Sequence, residues 1–209
     1  MQSIGPYLYD LYMASFERAC LKSWRRELLK HVYGEVLEVG AGTGANIDHY
    51  PDQVTRLALT EPDKHMRRRM EKKISGKGLN NVQISNGRVE QISAEDESFD
   101  CVVAFLVLSG VSDLGTALKE IIRVLKPGGY LVFLDHTAAV EDTSAEHWQK
   151  RIYAILRMIT GCKINLEIEE AFIKAGFKMR EITKERARKS LTHTIRGIAE
   201  KHPAAARRS

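Results

Sequence analysis

Three glycines at alternate positions stand directly after an apolar run in "LEVGAGTGANI", residues 37 to 47. Because glycine has no Cβ, Gly40, Gly42 and Gly44 let the backbone turn tightly and let another molecule come close. Such a loop suits a phosphate, a nucleoside-bearing cofactor, or a plain strand-to-helix turn. A P-loop is excluded because no Gly-Lys-Ser/Thr follows at the required spacing, and the G-x-G-x-G spacing also differs from the dinucleotide pattern G-x-G-x-x-G.

An acidic residue ends the next apolar run, "TRLALTEP", where Pro62 follows Glu61. A carboxylate there can accept hydrogen bonds from both hydroxyls of a ribose. Each hydrogen bond to a charged group contributes about 1.5–3 kcal/mol. The alternative is that Glu61 caps the following helix, whose N-terminus favours negative charge. The glycine loop and Glu61 together favour ligand binding.

A third candidate for chemistry is a pair of residues at the end of the apolar run "YLVFLDH". The side chains of Asp135 and His136 are of the types that accept a proton, or orient the reacting group, in general acid–base catalysis. The alternative is that Asp135 caps the following segment and His136 packs beneath it. Tyr7, Tyr9 and Tyr12 offer further hydroxyls near the N-terminus, where packing against a sheet is the expected role.

Strand and helix patterns alternate along most of the chain. Strands are predicted in "GEVLEVG", "TRLALTEP", "VQISNG", "FDCVVAFLVLSGV" and "YLVFLDH". Helices are predicted over 13–32, "ANIDHYP", "DKHMRRRMEKKI", "DLGTALKEIIRVL" (with Asp113 as N-cap), 143–160 and 166–175. This alternation predicts βαβ units, that is, a parallel sheet with helices on both faces. The last two strand patterns, "FKMREIT" and "LTHTIRGIA", predict an antiparallel hairpin at one edge.

Composition narrows the class of protein. The 209 residues, 44% hydrophobic and 28% charged, predict one soluble domain. Three cysteines without a CxxC pair argue against a disulfide framework and a zinc site and for a reducing compartment, so we expect no metal and a cytoplasmic location. The apolar run 101–111 is too short to span a bilayer. The basic C-terminal segment is either a solvated tail or a contact with an anionic partner such as a membrane surface.

Two more motifs, "ESFDCVV" and "EIIRVLKPGGYLVF", complete an ordered set with the glycine loop and Glu61. In order and spacing this set resembles class I S-adenosylmethionine-dependent methyltransferases, from about residue 25 to 199. The resemblance implies a doubly wound, Rossmann-like sheet of seven mostly parallel strands with an antiparallel C-terminal hairpin, and S-adenosylmethionine as cofactor. A non-catalytic, cofactor-binding regulatory module is the alternative. An NAD(H) oxidoreductase is disfavoured by the glycine spacing and by the absence of a Tyr-Lys or Cys pattern.

Finer motifs, including "GAGTGANIDHYP", "LVLSGVSD" and "HTIRGIA", resemble the membrane-associated thiol methyltransferases and bacterial phosphatidylethanolamine N-methyltransferases. The implied methyl acceptor is a small thiol, an amine or a phospholipid headgroup. Nucleic acid is not expected, because "FLVLSG" stands where base-methylating enzymes carry an Asn/Asp-Pro-Pro-aromatic turn. The chain departs from the subgroup at Ser109, Asp135 and Leu166, where cysteine, glutamate and arginine are usual, and these departures bear on the acceptor.

The resemblance also assigns residues and regions. It implies one methyltransferase domain over 1–209, with a helical lid at 1–33, the cofactor-binding core at 34–136, substrate-side helices and edge hairpin at 137–200, and a tail at 201–209. Asp135 and His136, at the carboxyl end of the fifth predicted strand, are the predicted catalytic residues on the grounds of their side-chain chemistry. The implied cofactor-binding residues cover the amino-acid part, the ribose, the adenine and the methyl group: Glu38, Gly40, Ala41, Gly42, Gly44, Asn46, Glu61, Pro62, Met66, Val89, Glu90, Phe105 and Leu106.

Overall fold

A computed structural model describes residues 21–137, 168–186 and 193–202. These residues form a seven-stranded sheet in the order β3-β2-β1-β4-β5-β7-β6. The strands are β1 (Gly34–Val39), β2 (Val54–Thr60), β3 (Val82–Ser85), β4 (Phe99–Phe105), β5 (Leu125–Thr137), β6 (Phe177–Arg186) and β7 (His193–Lys201). Strands β1 to β5 pair in parallel, whereas β7 is antiparallel to both of its neighbours. The predicted fold class is therefore confirmed.

Four α-helices flank the sheet in the described part of the chain. They are α1 (Lys22–Leu29), α2 (Lys64–Ser75), α3 (Leu114–Val124) and α4 (Ile168–Ala175). As predicted, the side chain of Asp113 caps α3 by accepting from the Thr116 N–H at 3.2 Å. The predicted helix in "ANIDHYP" is only a short 3-10 helix (Ile47–His49). The start of the predicted helix 13–32, the predicted helix 143–160 and most of the predicted lid and tail lie outside the described residues.

Each face of the sheet has its own apolar core, as the strand patterns require. Helix α1 and the buried side of α2 pack on one face, where Leu21, Leu29 and Met70 are fully buried. Helices α3 and α4 cover the other face, and Leu118 and Phe172 are fully buried there. The strand order reverses between β1 and β4, so the carboxyl ends of these strands flank the crevice where open α/β sheets bind ligands.

No helix connects β3 to β4, although a crossover between parallel strands usually contains one. Residues 86–98 cross instead as turns with one isolated bridge, Arg88 to Gln91. Among the described residues, no helix therefore covers β2 and β3 on the sheet face that α3 and α4 pack against, which we call the α3 face. The side chains there are correspondingly polar or small, as at Arg56, Ala58 and Gln83.

Candidate functional site

The glycine loop after β1 has the backbone that its sequence predicts. Gly40, Gly42 and Gly44 have φ values of 65°, 58° and 78°, in the left-handed region that side chains disfavour. A Cβ at Gly40 or Gly44 would lie 2.4 Å from a side-chain carbon of Val107 or Ile47. A Cβ at Gly42 would meet nothing within 4 Å. The first and third glycines are therefore required by packing, and the backbone at the second is open to an approaching molecule.

The carboxylate of Glu61 joins this loop to the start of α2. It is buried; Oε2 accepts from the Gly42 N–H at 2.9 Å and Oε1 from the Asp63 N–H at 2.8 Å. The cap of α2 is Asp63, whose Oδ1 accepts from the N–H groups of His65 and Met66, both at 2.8 Å. A carboxylate has about four lone-pair positions, so Glu61 keeps acceptor capacity for a ligand.

Glu38 on β1 lies in a buried network of side chains. Its Oε1 accepts from Asn46 Nδ2 at 2.8 Å and its Oε2 from the Tyr50 hydroxyl at 2.6 Å. Burial raises the pKa of Glu38 to about 7, even though Tyr50, Arg25 and Asn46 all act to lower it. The same burial, together with Glu38, raises the pKa of the Tyr50 hydroxyl well above its ordinary value. The site thus holds a carboxyl group that titrates near neutral pH.

Arg25 belongs to this network, and the sequence analysis missed it. Its Nη1 donates to Asn46 Oδ1 at 2.5 Å, and its guanidinium carbon lies 5.8 Å from the centroid of the Phe105 ring. Helical periodicity places charges between apolar residues in solvent, so nothing in the pattern of α1 marks Arg25 as buried. The structure therefore adds a buried cation beside Glu38.

The predicted adenine-side residues lie at the ends of β2 and β3. Pro62 and Met66 stand at the entrance to α2, and Met66 is 42% exposed, so it is not a core residue. Val89, within the loop after β3, is buried. Glu90 Oε1 accepts from the Ser112 N–H at 3.0 Å and from its hydroxyl at 2.7 Å, which ties this loop to the segment before α3. Contact of these residues with adenine stays a prediction.

Asp135 is fully buried at the end of β5 and binds backbone groups. Its Oδ2 accepts from the N–H groups of Leu108 and Ser109, at 2.7 and 3.2 Å, and its Oδ1 from its own neighbour, the His136 N–H, at 2.7 Å. Leu108 and Ser109 begin the 3-10 helix that follows β4 (Leu108–Gly110). Asp135 therefore holds the segment after β4 in place.

The predicted methyl-group residues adjoin that segment. Phe105 ends β4 and is buried, and Leu106 follows with a φ of 59°, a strained value for a branched side chain. The Leu106 N–H donates to the Leu134 carbonyl at 2.7 Å, which helps to hold this conformation.

Burial lowers the pKa of His136, although the Asp135 charge opposes the shift, so its imidazole is neutral near pH 7. No metal-binding group of His, Cys, Asp or Glu occurs among the described residues.

Comparison with known proteins gives a consistent result. A family model described as a methyltransferase domain matches residues 37–133. Human thiol S-methyltransferase TMT1A is 30% identical over 177 residues, which cover 81% of this chain and 70% of that protein. Phosphatidylethanolamine N-methyltransferase of Cereibacter sphaeroides is 34% identical over 136 residues, covering 62% and 65%. The N-methyltransferase NodS of Bradyrhizobium japonicum, solved with S-adenosyl-L-homocysteine, has the same fold (TM-score 0.67, 19% identity, covering 89% and 87%).

The sheet order, the glycine loop and these similarities define a class I S-adenosylmethionine-dependent methyltransferase. The chain belongs to the methyltransferase family that includes the thiol S-methyltransferases, and it is an enzyme that uses S-adenosylmethionine. The resemblance inferred from the motifs is confirmed. In the described part of the chain, no helix is both long and apolar enough to cross a membrane.

Proposed function

We propose that this enzyme methylates the sulfur of a small thiol. The observation that carries the proposal is the state of Asp135, whose carboxylate is buried and bonded to three backbone N–H groups. Such a carboxylate is poorly placed to remove a proton from an acceptor. An amine must lose a proton before or during attack, whereas a thiol with an unperturbed pKa of about 8.5 supplies thiolate without a strong base.

The residues around the glycine loop fit the cofactor. The open backbone at Gly42 leaves room for close approach, and Glu61 has acceptor positions left for the ribose hydroxyls. The buried carboxyl group of Glu38 and the buried guanidinium of Arg25 lie beside the loop and suit the ammonium and carboxylate groups of an amino acid. When bound, the cofactor would supply an electrophilic methyl group on a sulfonium, to which a thiolate sulfur would bond in line as the neutral thioether, S-adenosylhomocysteine, leaves.

In this proposal the chain contributes alignment and exclusion of water. Phe105 and Leu106 form an apolar wall at the end of β4, and Asp135 fixes the backbone that follows them. Pre-aligned reactants can lower a barrier by about 7–11 kcal/mol. The neutral imidazole of His136 is the proposed acceptor for the thiol proton.

We also propose that the enzyme works in the cytoplasm and contacts membranes peripherally. Support comes from exposed cations on α2, Lys64, Arg68 and Lys72, which suit an anionic surface. Sedimentation with vesicles containing phosphatidylserine, compared with phosphatidylcholine alone, tests the contact. Equal sedimentation with both would contradict it.

The acceptor is tested by supplying the purified enzyme and S-adenosylmethionine with 2-mercaptoethanol, ethanolamine, or phosphatidylethanolamine vesicles. We expect a thioether product at a rate that rises with the thiolate fraction. Methylation of an amine alone would overturn the thiol assignment and leave the enzyme class intact.

The cofactor site is tested separately, by calorimetry with S-adenosylhomocysteine. We expect Glu61→Gln to weaken binding tenfold or more, about 1.4 kcal/mol. Glu35→Gln on the adjoining strand β1 is the matched control, because Glu35 is solvent-accessible and pairs with Arg56 and Lys126. Equal affinities of the two variants would show that Glu61 does not bind the cofactor.

A further inference from the structure

A cavity of about 490 Å³ lies on the α3 face of the sheet, over β2 and β3. Its floor is apolar and is formed by Leu37, Ala58 and Phe99. None of its lining residues belongs to the glycine loop, so it is separate from the cofactor site. It exists because residues 86–98 cross from β3 to β4 without a helix that would fill the space.

One end of the cavity carries an incompletely paired guanidinium. Arg56 Nε is buried and has no hydrogen-bond partner, whereas Nη2 donates to Gln83 at 2.9 Å. Glu35 lies 3.6 Å from Nη1, longer than the roughly 2.7–2.9 Å of a close charge-assisted hydrogen bond. Glu35 is also shared with Lys126, at 3.3 Å. Arg56 therefore keeps a donor and part of its charge for an anionic oxygen.

The other end carries an orphaned hydroxyl. Thr60 is 7% exposed, and its Oγ1 is buried without a hydrogen-bond partner. Leaving such a group unpaired is costly for the fold unless a ligand satisfies it. Ser85 lies beside Thr60 in the register of β2 and β3 and adds a second hydroxyl to the cavity lining. Thr60 is followed directly by Glu61, so this end adjoins the cofactor site along the chain.

The two polar ends are separated by an apolar stretch of fixed length. Arg56, Ala58 and Thr60 are alternate residues of β2, so they share one face. At about 3.3 Å per residue, the Cα atoms of Arg56 and Thr60 lie about 13 Å apart. Glu95 also lines the cavity, and its carboxylate disfavours a second negative charge on an occupant.

From these features we propose that the cavity is a second binding site, for a medium-length amphipathic monocarboxylate with a neutral polar group at its far end. The carboxylate pairs with Arg56, the hydrocarbon lies over Ala58 and Leu37, and the far group bonds with Thr60. This site is independent of the methyl acceptor.

Calorimetric titration with three probes tests the proposal: 8-hydroxyoctanoate, octanoate, and 1,8-octanediol. We expect 8-hydroxyoctanoate to bind saturably, and each of the other two to bind at least fivefold more weakly, because octanoate lacks the far hydroxyl and 1,8-octanediol lacks the carboxylate. Absence of saturable binding by 8-hydroxyoctanoate, or equal affinity for all three probes, would overturn the proposal.

Variants of β2 locate the site. Ala58→Leu fills the floor and should abolish binding of every probe. Thr60→Val keeps the side-chain shape and should reduce 8-hydroxyoctanoate to the affinity of octanoate. Thr55→Val, at an exposed position of the same strand that does not line the cavity, is the matched control and should bind normally. The hydroxyl of Thr60 has no partner in the fold, so Thr60→Val stays folded and informative even if Ala58→Leu does not. Unchanged binding in both Ala58→Leu and Thr60→Val would overturn the proposal.

Discussion

The carboxyl ends of β1 and β2 differ from those of β4 and β5 in what their carboxylates bind. Glu38 accepts only from side chains among the hydrogen bonds described, and Glu61 accepts from two N–H groups across a loop. Asp135 accepts from three backbone N–H groups, two in the 3-10 helix after β4 and one on its own neighbour His136. In the first region, Glu38 titrates near neutral pH and Glu61 has acceptor positions left for a ligand. In the second region, the carboxylate of Asp135 fixes the backbone. The same functional group at one edge of the sheet thus serves binding in one region and scaffolding in the other.

The largest effect is expected at Asp135. Asp135→Ala leaves the N–H groups of Leu108 and Ser109 without their buried acceptor, and each such loss costs about 1–3 kcal/mol. We expect the free energy of unfolding to fall by about 3–4 kcal/mol in urea titrations. Asp135→Asn keeps one acceptor oxygen and should lose about half as much.

Kinetics then distinguish a positioning residue from a base. If Asp135 positions the segment after β4, Asp135→Asn should retain measurable methyl transfer. The limb of the pH profile that His136 contributes should persist but move to lower pH, because the Asp135 charge no longer opposes the lowering of the His136 pKa. Loss of the limb of the profile that reports a catalytic base, in a variant that is still folded, would contradict the scaffolding role.

A smaller effect is expected in the glycine loop. Gly40→Ala combines a left-handed backbone with a Cβ placed 2.4 Å from Val107 Cγ2. We expect a loss of about 2–3 kcal/mol in the free energy of unfolding. Gly42→Ala has the same backbone strain but no steric contact, so about 1 kcal/mol should be lost.

Comparison of Gly40→Ala with Gly42→Ala also separates the effect of packing from the effect of cofactor binding. The backbone at Gly42 faces open space, where the cofactor is expected to approach. The loss in binding free energy for S-adenosylhomocysteine in Gly42→Ala should therefore exceed the loss of about 1 kcal/mol in the free energy of unfolding. Equal stability losses for the two variants would show that Val107 moves aside, and the packing requirement at Gly40 would be withdrawn.

Local patterns predicted the strands and the glycine loop, because both depend on residues adjacent in sequence. The apolar runs of β1, β2 and β4 and the alternate glycines carry their own signal. Arg25 was missed because its burial depends on Asn46 and Phe105, which no periodicity of α1 reveals. The role of Asp135 was also beyond the sequence, since its main partners are backbone N–H groups 26 and 27 residues away. The segment "ANIDHYP", predicted as a helix, is too short between Gly44 and Pro51 to form more than a 3-10 turn.

The effect that sharpens the comparison most is the pH dependence of Glu38. Its pKa in the folded protein is about 7, above the ordinary value of 4.5, so the folded state binds the proton more tightly than the unfolded state. The stability contribution of the protonated group is full below the unfolded pKa and is lost as pH rises through about 7. Glu38→Gln does not titrate and should therefore gain about 2 kcal/mol relative to the wild type between pH 5 and pH 8.

Asp48 in the neighbouring 3-10 helix is the matched control, because its pKa is shifted the other way. Hydrogen bonds and ion pairs with Lys73 and Lys77 lower the pKa of Asp48 to about 2, so it stays ionised throughout this range. Asp48→Asn should change stability equally at pH 5 and pH 8. Urea unfolding at both pH values measures both variants. A flat difference for Glu38→Gln would mean that Glu38 is already ionised at pH 5, and the contrast between a titrating site at β1 and a fixed scaffold at β5 would then disappear.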